Sequence, residues 1–482
     1  MLNISRELFT AWNEAGLVYC HWKSNEHLLP GLNGETDLDV LLSQDNKDEG
    51  ENLLRRLDFM QCKSQRGSRY PDVDDWIGFD KSTGSLIHLH LHYSLVTGHK
   101  GMKEYSLPWN DLALKTRMLN KEYGVYTMEP NLEMVTLYTR IGLKADFLSL
   151  IRCKMEKFNF SKDTQREIDW LKRKIDYGKV RQILETYYKE EAGYVFDIMK
   201  KEKIEAHDYL KLRKVAERVF NKSSRVRYFR RIKELFCFLY IFGISKKLRG
   251  TGSHITKKVP MSGRGLSIVF LGQDGAGKTT VTNELKKWWN WKLDVRYVYM
   301  GSGENYLSRK KALLDKIPNN GFLRPLKAVI GVKDIKDRVK RSFKNVKISE
   351  KYISKGGVVI FDRFPQKDYL GICDGPKIRR IVESRFGKGK LSRLFYPIVK
   401  TEEEYINKII DYNPDIVFKL LLSPEESIRR KPKESLENVR KKHNIVKSMR
   451  FDNSDVYIID ATMPFEEELI MIKNIIWQHI RK

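Results

Sequence analysis

The residues with the most distinctive chemistry lie in the glycine-rich segment GQDGAGKT at positions 272–279. It follows an apolar run and precedes a helical segment, which is the strand–GxxxxGK[ST]–helix arrangement of a phosphate-binding loop. Glycines let backbone N–H groups face phosphates, and the helix N-terminus adds partial positive charge. In this pattern Lys278 reaches the β and γ phosphates and Thr279 holds Mg²⁺. The segment therefore predicts a site for ATP with Mg²⁺, formed by Gly272, Gly275, Ala276, Gly277, Lys278 and Thr279.

A second candidate group is Asp362 with Arg363, which follows the apolar run 358–361. In a doubly wound sheet this places the carboxylate at a strand's C-terminal edge, beside the phosphate loop. There Asp362 could hold Mg²⁺ through water or orient the phosphoryl acceptor, and Arg363 could clamp a phosphate with its planar fork. An Asp-Arg pair is also common on surfaces, but its position favours a catalytic role.

A third cluster, PEESIRRKPK at positions 424–433, carries four cations: Arg429, Arg430, Lys431 and Lys433. They could form a lid that closes on the transferring phosphoryl group and excludes water. A solvated helix face explains the same charges equally well, so both interpretations stay open.

The N-terminal third contains a carboxylate pair, Asp37 and Asp39, in a strand-like segment. Residues at i and i+2 on a strand point to one face, so the pair could chelate divalent metal for phosphoryl or nucleotidyl transfer. The upstream residues 23–25 (KSN) could supply a phosphate-facing turn. A later strand, LIHLHLHY, places three histidines on one face, which favours a core or pocket-wall role over metal binding.

These groups are positioned by an α/β chain with three predicted regions and a linker. Residues 1–118 have a mixed α/β pattern, residues 119–249 are helical, and the Gly/Ser/Lys-rich segment 250–264 is typical of a linker. From residue 265 to 482 strand and helix signals alternate, which predicts a doubly wound parallel sheet covered by helices. Strands are predicted at 266–271, 295–300, 357–361, 416–422 and 456–459, with a closing helix at 464–480.

Residues from about 266 to 482 resemble the thymidylate kinase family of P-loop kinases. The matching segments are GQDGAGKTT (272–280), DRF (362–364), PDIVFKLLLSPEESIRR (414–430) and IIDATMPFEEE (458–468). The resemblance implies a nucleoside monophosphate acceptor, Asp274 near the acceptor sugar or the metal, and a loop at Asp460 and Ala461 beside adenine. The resemblance also implies that Thr280 is part of the nucleotide site. The family's TREPGG-like segment is replaced here by MGSGE (300–304), and the lid and YLGICDGP (369–376) also differ, so the acceptor is not fixed.

The N-terminal region resembles the nucleotidyltransferase fold shared with DNA polymerase beta, on the strength of the KSN turn and the DLD strand. That family usually adds a third carboxylate on a later strand, where this chain has His88, His90 and His92. Catalysis, binding without catalysis and an unrelated fold all stay open for this region.

Composition limits the setting in which the chain works. The five cysteines are scattered without CxxC spacing, which favours a reducing cytoplasm over a disulfide framework or zinc site. No signal peptide is expected, and the apolar run 235–244 is too short to span a bilayer. Its basic flanks favour a buried helix with a solvated end over a helix that lies on an anionic membrane surface. The net charge of +28 implies polyanionic partners. Nucleic acid is disfavoured because no recognition motif occurs, and a homodimer stays open.

Two functions from different classes follow. The first is ATP-dependent phosphoryl transfer to a nucleoside monophosphate or similar phosphorylated acceptor. The second is an ATP-binding assembly or regulatory protein on a membrane surface or polymer-synthesis complex. A kinase makes ADP only with an acceptor, whereas a switch hydrolyses ATP slowly without one.

Overall fold

A computed structural model describes most of the chain: residues 1–62, 70, 72–98, 103–144, 160–220, 236, 261–293, 295–301, 324–367, 369, 376–432 and 434–480. The chain folds as two compact units, residues 1–247 and 248–480. Several predicted features lie outside the described residues: the apolar run 235–244 except Phe236, the linker up to residue 260, Lys433, and most of segments 300–304 and 369–376. No helix in the described ranges is long and apolar enough to cross a membrane.

The first unit combines a mixed sheet with a set of helices. Its strands are β1 (Tyr19–His21), β2 (Leu38–Leu42), β3 (Met60–Cys62), β4 (Val73–Asp80), β5 (Ser85–His92), β6 (Val96–Thr97), β7 (Tyr105–Ser106), β8 (Met118–Asn120) and β9 (Val125–Thr127). Its helices are α1 (Asn3–Glu14), α2 (Leu28–Leu32), α3 (Lys47–Arg56), α4 (Asn110–Lys115), α5 (Pro130–Leu143), α6 (Lys162–Lys172), α7 (Tyr177–Tyr188), α8 (Ala192–Lys200) and α9 (Ala206–Phe220).

Seven of these strands form one sheet in the order β3-β4-β5-β2-β1-β9-β8. Strand β2 pairs in parallel with β5, and β5 pairs antiparallel with β4, so Asp39, His90 and Asp75 lie side by side across three strands. One hydrophobic core contains the sheet residues Cys20 and Leu41 together with residues of α5 to α9. Strand β9 and helix α5 lie within residues 119–249, for which the sequence predicts a helical connector. The boundary between that connector and the N-terminal domain, near residue 118, stays a prediction.

The second unit alternates strands and helices. Its strands are β10 (Leu266–Gly272), β11 (Val295–Tyr299), β12 (Val358–Asp362), β13 (Ile416–Leu421) and β14 (Asp455–Asp460). Its helices are α10 (Lys278–Asn290), α11 (Arg324–Ile353), α12 (Ile378–Phe386), α13 (Lys390–Arg393), α14 (Tyr396–Ile410), α15 (Pro424–Arg430), α16 (Leu436–Ser448) and α17 (Phe465–Ile480).

The five strands of the second unit form an all-parallel sheet in the order β11-β12-β10-β13-β14. Every residue of β10 and β12 is buried, as expected for central strands with both faces covered by helices. Because β10 lies between β12 and β13, the direction of winding changes at β10, and ligands of open parallel sheets bind at the carboxyl ends of the strands beside such a point. The α/β class and the parallel sheet predicted from the sequence are therefore present.

Candidate functional site

The glycine-rich segment forms the turn between strand β10 and helix α10. Gly275 and Gly277 have φ values of +89° and +79°, a left-handed conformation that side chains other than glycine rarely adopt. Gly277 directly precedes the first residue of α10, so the loop ends on the helix N-terminus. This arrangement provides the positive end of a helix dipole and closely spaced backbone amides, which together suit a phosphate group.

Lys278 is folded into the loop that it terminates. Its ammonium donates hydrogen bonds to the carbonyl oxygens of Gly272 at 2.7 Å and Gln273 at 2.9 Å, and the side chain is buried. These two partners are neutral acceptors, and the positive charge of the ammonium also helps to lower the pKa of the nearby Asp274 carboxyl. Thr279 and Thr280 follow in the first turn of α10 and are exposed.

Asp362 ends strand β12 beside the loop. The hydroxyl of Tyr297 donates to its Oδ2 at 2.8 Å, whereas its Oδ1 is buried without a hydrogen-bond partner among the described residues. Burial and the Asp362 carboxylate raise the pKa of Tyr297, so the hydroxyl remains a donor. A buried carboxylate oxygen without a partner is costly. Mg²⁺ prefers oxygen ligands, directly or through water, so this oxygen and the Thr279 hydroxyl fit that ion.

Arg363 has an unusual backbone for a residue with a side chain. Its φ is +68°, and its N–H donates to the Phe270 carbonyl at 3.1 Å, which links the end of β12 to β10. Left-handed residues other than glycine cost free energy and cluster at functional sites. The guanidinium lies 3.9 Å from Asp274 Oδ1 and 5.9 Å from the centre of the Tyr299 ring.

Asp274 joins the loop to the segment that follows α15. Lys442 donates to Asp274 Oδ2 at 2.6 Å and also contacts Glu434 at 2.7 Å. Burial alone would raise the pKa of Asp274, but the hydrogen bond from Lys442 lowers it, so the carboxylate is ionised at neutral pH. The Ser427 hydroxyl donates to the Asp274 carbonyl at 2.7 Å. Ser427 of the predicted lid segment and Lys442 of helix α16 therefore both contact the phosphate loop.

The two predicted lid arginines have different surroundings. Arg430 donates to the carbonyls of Ala461 at 3.2 Å and Gly275 at 3.4 Å, and to Glu426 at 3.0 Å. Arg429 pairs with Glu426 at 2.6 Å, and its side chain is 77% exposed. Arg430 thus lies at the loop, while Arg429 extends into solvent. Lys431 directly follows α15 and is exposed.

Asp460 and Ala461 lie at the end of β14, on the same edge of the sheet. Asp460 Oδ1 accepts from the backbone and hydroxyl of Thr462 at 2.9 and 2.7 Å, which lowers the pKa of this carboxyl. The Ala461 N–H donates to the Leu421 carbonyl at 2.8 Å. Arg430 contacts the Ala461 carbonyl, so one side chain connects this turn with the phosphate loop.

The N-terminal sheet carries a second polar cluster, which we call the His–Asp cluster: Asp37, Asp39, Asp75, His88, His90 and His92. His88 Nδ1 lies 2.8 Å from Asp37 Oδ1, and His90 Nδ1 lies 3.3 Å from Asp39 Oδ1. The Nε2 atoms of both histidines approach Asp75 Oδ1, at 3.1 and 3.2 Å. Two triads have ligand atoms within 4.8 Å of one another: Asp37, His88 and His90, and Asp39, His90 and His92.

Charge within this cluster is shifted by burial and by the neighbouring groups. Burial alone would raise the pKa of Asp39, but Lys23, whose Nζ lies 2.6 Å from Oδ1, and His90 lower it well below its usual range. Burial opposes protonation of His90, yet Asp39 and Asp75 raise its pKa to about 9. Burial lowers the pKa of His92 to about 3. At neutral pH His90 is therefore a cation and His92 is neutral.

The predicted phosphate-facing turn at residues 23–25 is occupied by carboxylates. Ser24, with φ +54°, donates its N–H to Glu167 at 3.1 Å, and Asn25 donates its N–H and amide to Glu133 at 2.9 and 2.8 Å. Burial raises the pKa of Glu133 to about 7 despite these bonds. The amides that would bind phosphate are thus already paired with acidic side chains.

Sequence reasoning missed three residues that the structure brings into these sites. Asp75 comes from β4 and supplies a third carboxylate next to the histidine strand; its signal was the alternation in VDDWIGFD. Tyr297 lies on β11 beside Asp362 and could have been found from the alternation of that strand. Lys442 lies 168 residues from Asp274, and no local pattern joins them.

Comparison with known proteins finds partial matches. No protein-family model matches the chain. The chain is similar to the uncharacterized ATP-binding protein YghR of Escherichia coli strain K12, with 26% identity over 220 residues that cover 42% of this chain and 83% of that protein. YghR of E. coli O6:H1 strain CFT073 matches to the same extent. A solved deoxyadenosine kinase from M. mycoides, with dCMP and dCDP bound, covers 43% of this chain and 97% of its own, at 14% identity and a TM-score of 0.27.

Proposed function

We propose that the C-terminal unit binds ATP with Mg²⁺ and transfers the γ-phosphoryl group to a nucleoside monophosphate or a similar phosphorylated acceptor, as a thymidylate kinase-like enzyme. The observation that carries the proposal is the pairing of two features at one sheet edge. A glycine loop with a buried lysine follows β10, and a carboxylate with one unpartnered buried oxygen among the described residues ends β12. The similarity to a protein described as ATP-binding supports the first half of the proposal.

Each residue has a role that follows from its position. The backbone amides of the loop bind the phosphates, and Lys278 leaves the carbonyls of Gly272 and Gln273 to pair with phosphate oxygens. Thr279 and Asp362 would hold Mg²⁺, which would neutralise charge on the phosphates when bound. Tyr297 fixes the Asp362 carboxylate by its hydrogen bond, so that the second oxygen keeps its direction.

The remaining side chains place the acceptor and enclose the transferring group. Arg363 lies between Asp274 and Tyr299, where its fork could bind the acceptor phosphate. Arg430 holds the phosphate loop and the turn at Ala461 together, and the adenine is expected beside that turn. Excluding water from such a site favours transfer to the acceptor over hydrolysis. The acceptor itself is left to experiment.

The N-terminal unit enters the proposal as a nucleotidyltransferase-like domain. Asp37 and Asp39 are its proposed metal ligands, and Asp75 is a candidate for the missing third carboxylate. Glu167 and Glu133 already accept the backbone N–H groups of the KSN turn, which favours nucleotide binding in which that turn does not contact a phosphate.

An acceptor screen tests the proposed phosphotransfer. Purified full-length protein with ATP and Mg²⁺ is offered nucleoside monophosphates, sugar phosphates and free sugars, and ADP formation is followed. We expect ADP formation to depend on one class of phosphorylated acceptor. Slow ADP formation that ignores every acceptor would instead identify an ATP-driven assembly or regulatory protein.

A further inference from the structure

The His–Asp cluster contains a donor set that the phosphotransfer chemistry does not use. Asp39 Oδ1 lies 3.3 Å from His90 Nδ1 and 3.1 Å from His92 Nε2, and His92 is fully buried. Ligand atoms around a tetrahedral metal are about 3.4 Å apart when each lies about 2.1 Å from the ion. Both distances to Asp39 Oδ1 are close to this value, and the ligand atoms of the triad all lie within 4.8 Å of one another, so the three side chains can surround one ion.

The register of the sheet fixes this arrangement. Strand β5 places its histidines on one face at every second residue, and the ladder sets Asp39 beside His90 on one side and Asp75 on the other. Both nitrogens of His90 therefore face carboxylate oxygens. A neutral imidazole has only one N–H, so one of these contacts must contain a second cation, either a proton or a metal ion.

Asp75 determines which nitrogen would bind the metal. It lies 3.2 Å from His90 Nε2, where it can accept the Nε2–H bond and leave the Nδ1 lone pair directed at Asp39. Metal-binding histidines usually donate their other N–H to a carboxylate in this way, which fixes the tautomer and the ring orientation.

We propose that Asp39, His90 and His92 bind one divalent transition-metal ion of the zinc class, with Asp75 as the residue that orients His90. Two imidazoles and one carboxylate favour Zn²⁺, Fe²⁺ or Co²⁺ over Mg²⁺, which prefers a shell of oxygen atoms. Lys23 Nζ lies 2.6 Å from Asp39 Oδ1, so its ammonium competes with the metal and must leave that oxygen on binding. This site is independent of the proposed phosphotransfer in the other unit, and because it uses Asp39 it is an alternative to metal binding by Asp37 together with Asp39.

Cobalt titration tests the site. Full-length protein stripped with a chelator is titrated with Co²⁺, and the visible absorption of histidine-bound Co²⁺ is followed, with Zn²⁺ and Mg²⁺ as competitors. We expect one equivalent to bind, displaced by Zn²⁺ but not by a hundredfold excess of Mg²⁺. Displacement by Mg²⁺ at equal concentration, or no binding, would overturn the proposal.

Five variants locate the ion. Asp39→Asn and His90→Gln should weaken Co²⁺ binding by at least about tenfold, because each removes one of three ligands. Lys23→Met should strengthen binding, because it removes the competing charge without touching a ligand. Asp37→Asn tests the neighbouring triad and should retain Co²⁺ binding. Asp45→Asn, an exposed carboxylate of the same unit, is the control and should leave the affinity unchanged.

The same variants distinguish this site from the neighbouring triad and from surface binding. Loss of binding in Asp37→Asn with retention in Asp39→Asn would assign the ion to the triad of Asp37, His88 and His90 and contradict the proposal. Retention in all variants would show adventitious surface binding only. Circular dichroism shows whether Asp39→Asn and His90→Gln fold. If either does not, Lys23→Met still tests the proposal, because an unchanged Co²⁺ affinity in that variant would contradict a metal ion at Asp39.

Discussion

At the carboxyl edge of the C-terminal sheet, Asp362 has one buried oxygen without a partner in the described part of the chain, and Lys278 bonds neutral carbonyls. On the N-terminal sheet the opposite holds, because each carboxylate of the His–Asp cluster lies within hydrogen-bond distance of a histidine. The first region therefore offers one carboxylate oxygen, Asp362 Oδ1, that no described residue occupies, whereas every carboxylate of the second region already contacts a histidine. The contrast indicates that a ligand adds to the first site but must displace a proton or an ammonium at the second.

The largest effect is expected from Lys278→Ala, which removes the ammonium from the phosphate loop. Removing the ammonium should lower phosphoryl transfer by about a thousandfold, close to 4 kcal/mol of transition-state stabilisation, while the fold remains. Lys286→Ala is the matched control, since Lys286 is exposed on the same helix. Steady-state kinetics and circular dichroism measure the two properties. Wild-type turnover in Lys278→Ala would remove the phosphate loop from the mechanism.

The next test concerns the unpartnered oxygen. Asp362→Asn should lower kcat/KM by about a hundredfold, because the amide replaces the charge that a metal ion would need. Tyr297→Phe removes only the hydrogen bond to the other oxygen, so a loss of about tenfold is expected. Measuring both variants across Mg²⁺ concentrations separates charge from orientation. Equal effects of the two substitutions would show that the negative charge of Asp362 contributes nothing beyond its hydrogen bond with Tyr297.

A smaller effect should distinguish the two neighbouring arginines. Arg430→Ala should lower turnover by about tenfold, because it removes bonds to Gly275 and Ala461 at the edge of the site. Arg429→Ala is its control and should have little effect, since that side chain is mostly exposed and its pair with Glu426 is a surface ion pair. A larger loss of turnover in Arg429→Ala than in Arg430→Ala would mean that Arg429, and not Arg430, lies at the phosphate loop during the reaction.

A separate effect is expected on stability rather than on turnover. Glu468 is buried, with Oε1 lacking a partner among the described residues, and burial raises its pKa to about 7. A carboxyl with a raised folded pKa stabilises the fold below its unfolded pKa, and this contribution is lost as pH rises through about 7. Between pH 5 and pH 8 the wild type should therefore lose up to about 3 kcal/mol relative to Glu468→Gln.

Denaturant unfolding at the two pH values, followed on the transition that ATP shifts, measures this difference. The buried Glu133 of the other unit provides a comparison. Burial raises its pKa to about 7 as well, but Glu133 accepts two hydrogen bonds from Asn25. The same pH slope in wild type and Glu468→Gln would show that this carboxyl stays ionised throughout.

Local patterns predicted much of the C-terminal unit. Strands β10, β12 and β13 are apolar runs bounded by turns, and the residues after β10 and β12 carried the site prediction, so the carboxyl edge could be found from the sequence. Contacts such as Lys442 with Asp274 could not, because they depend on how distant segments pack. In the N-terminal unit alternation correctly placed the histidines on one face, but the pairing of β5 with β4, which brings in Asp75, follows from sheet topology.

The most direct test of the proposed phosphotransfer follows the γ-phosphoryl group itself. ATP labelled at the γ-phosphorus is incubated with the full-length protein, Mg²⁺ and each acceptor, and the products are separated. We expect the label to move into a phosphorylated acceptor, in amounts equal to the ADP formed, and Lys278→Ala to lower this transfer by about a thousandfold. Label found only in orthophosphate, at the same rate with and without acceptors, would contradict the proposed phosphotransfer.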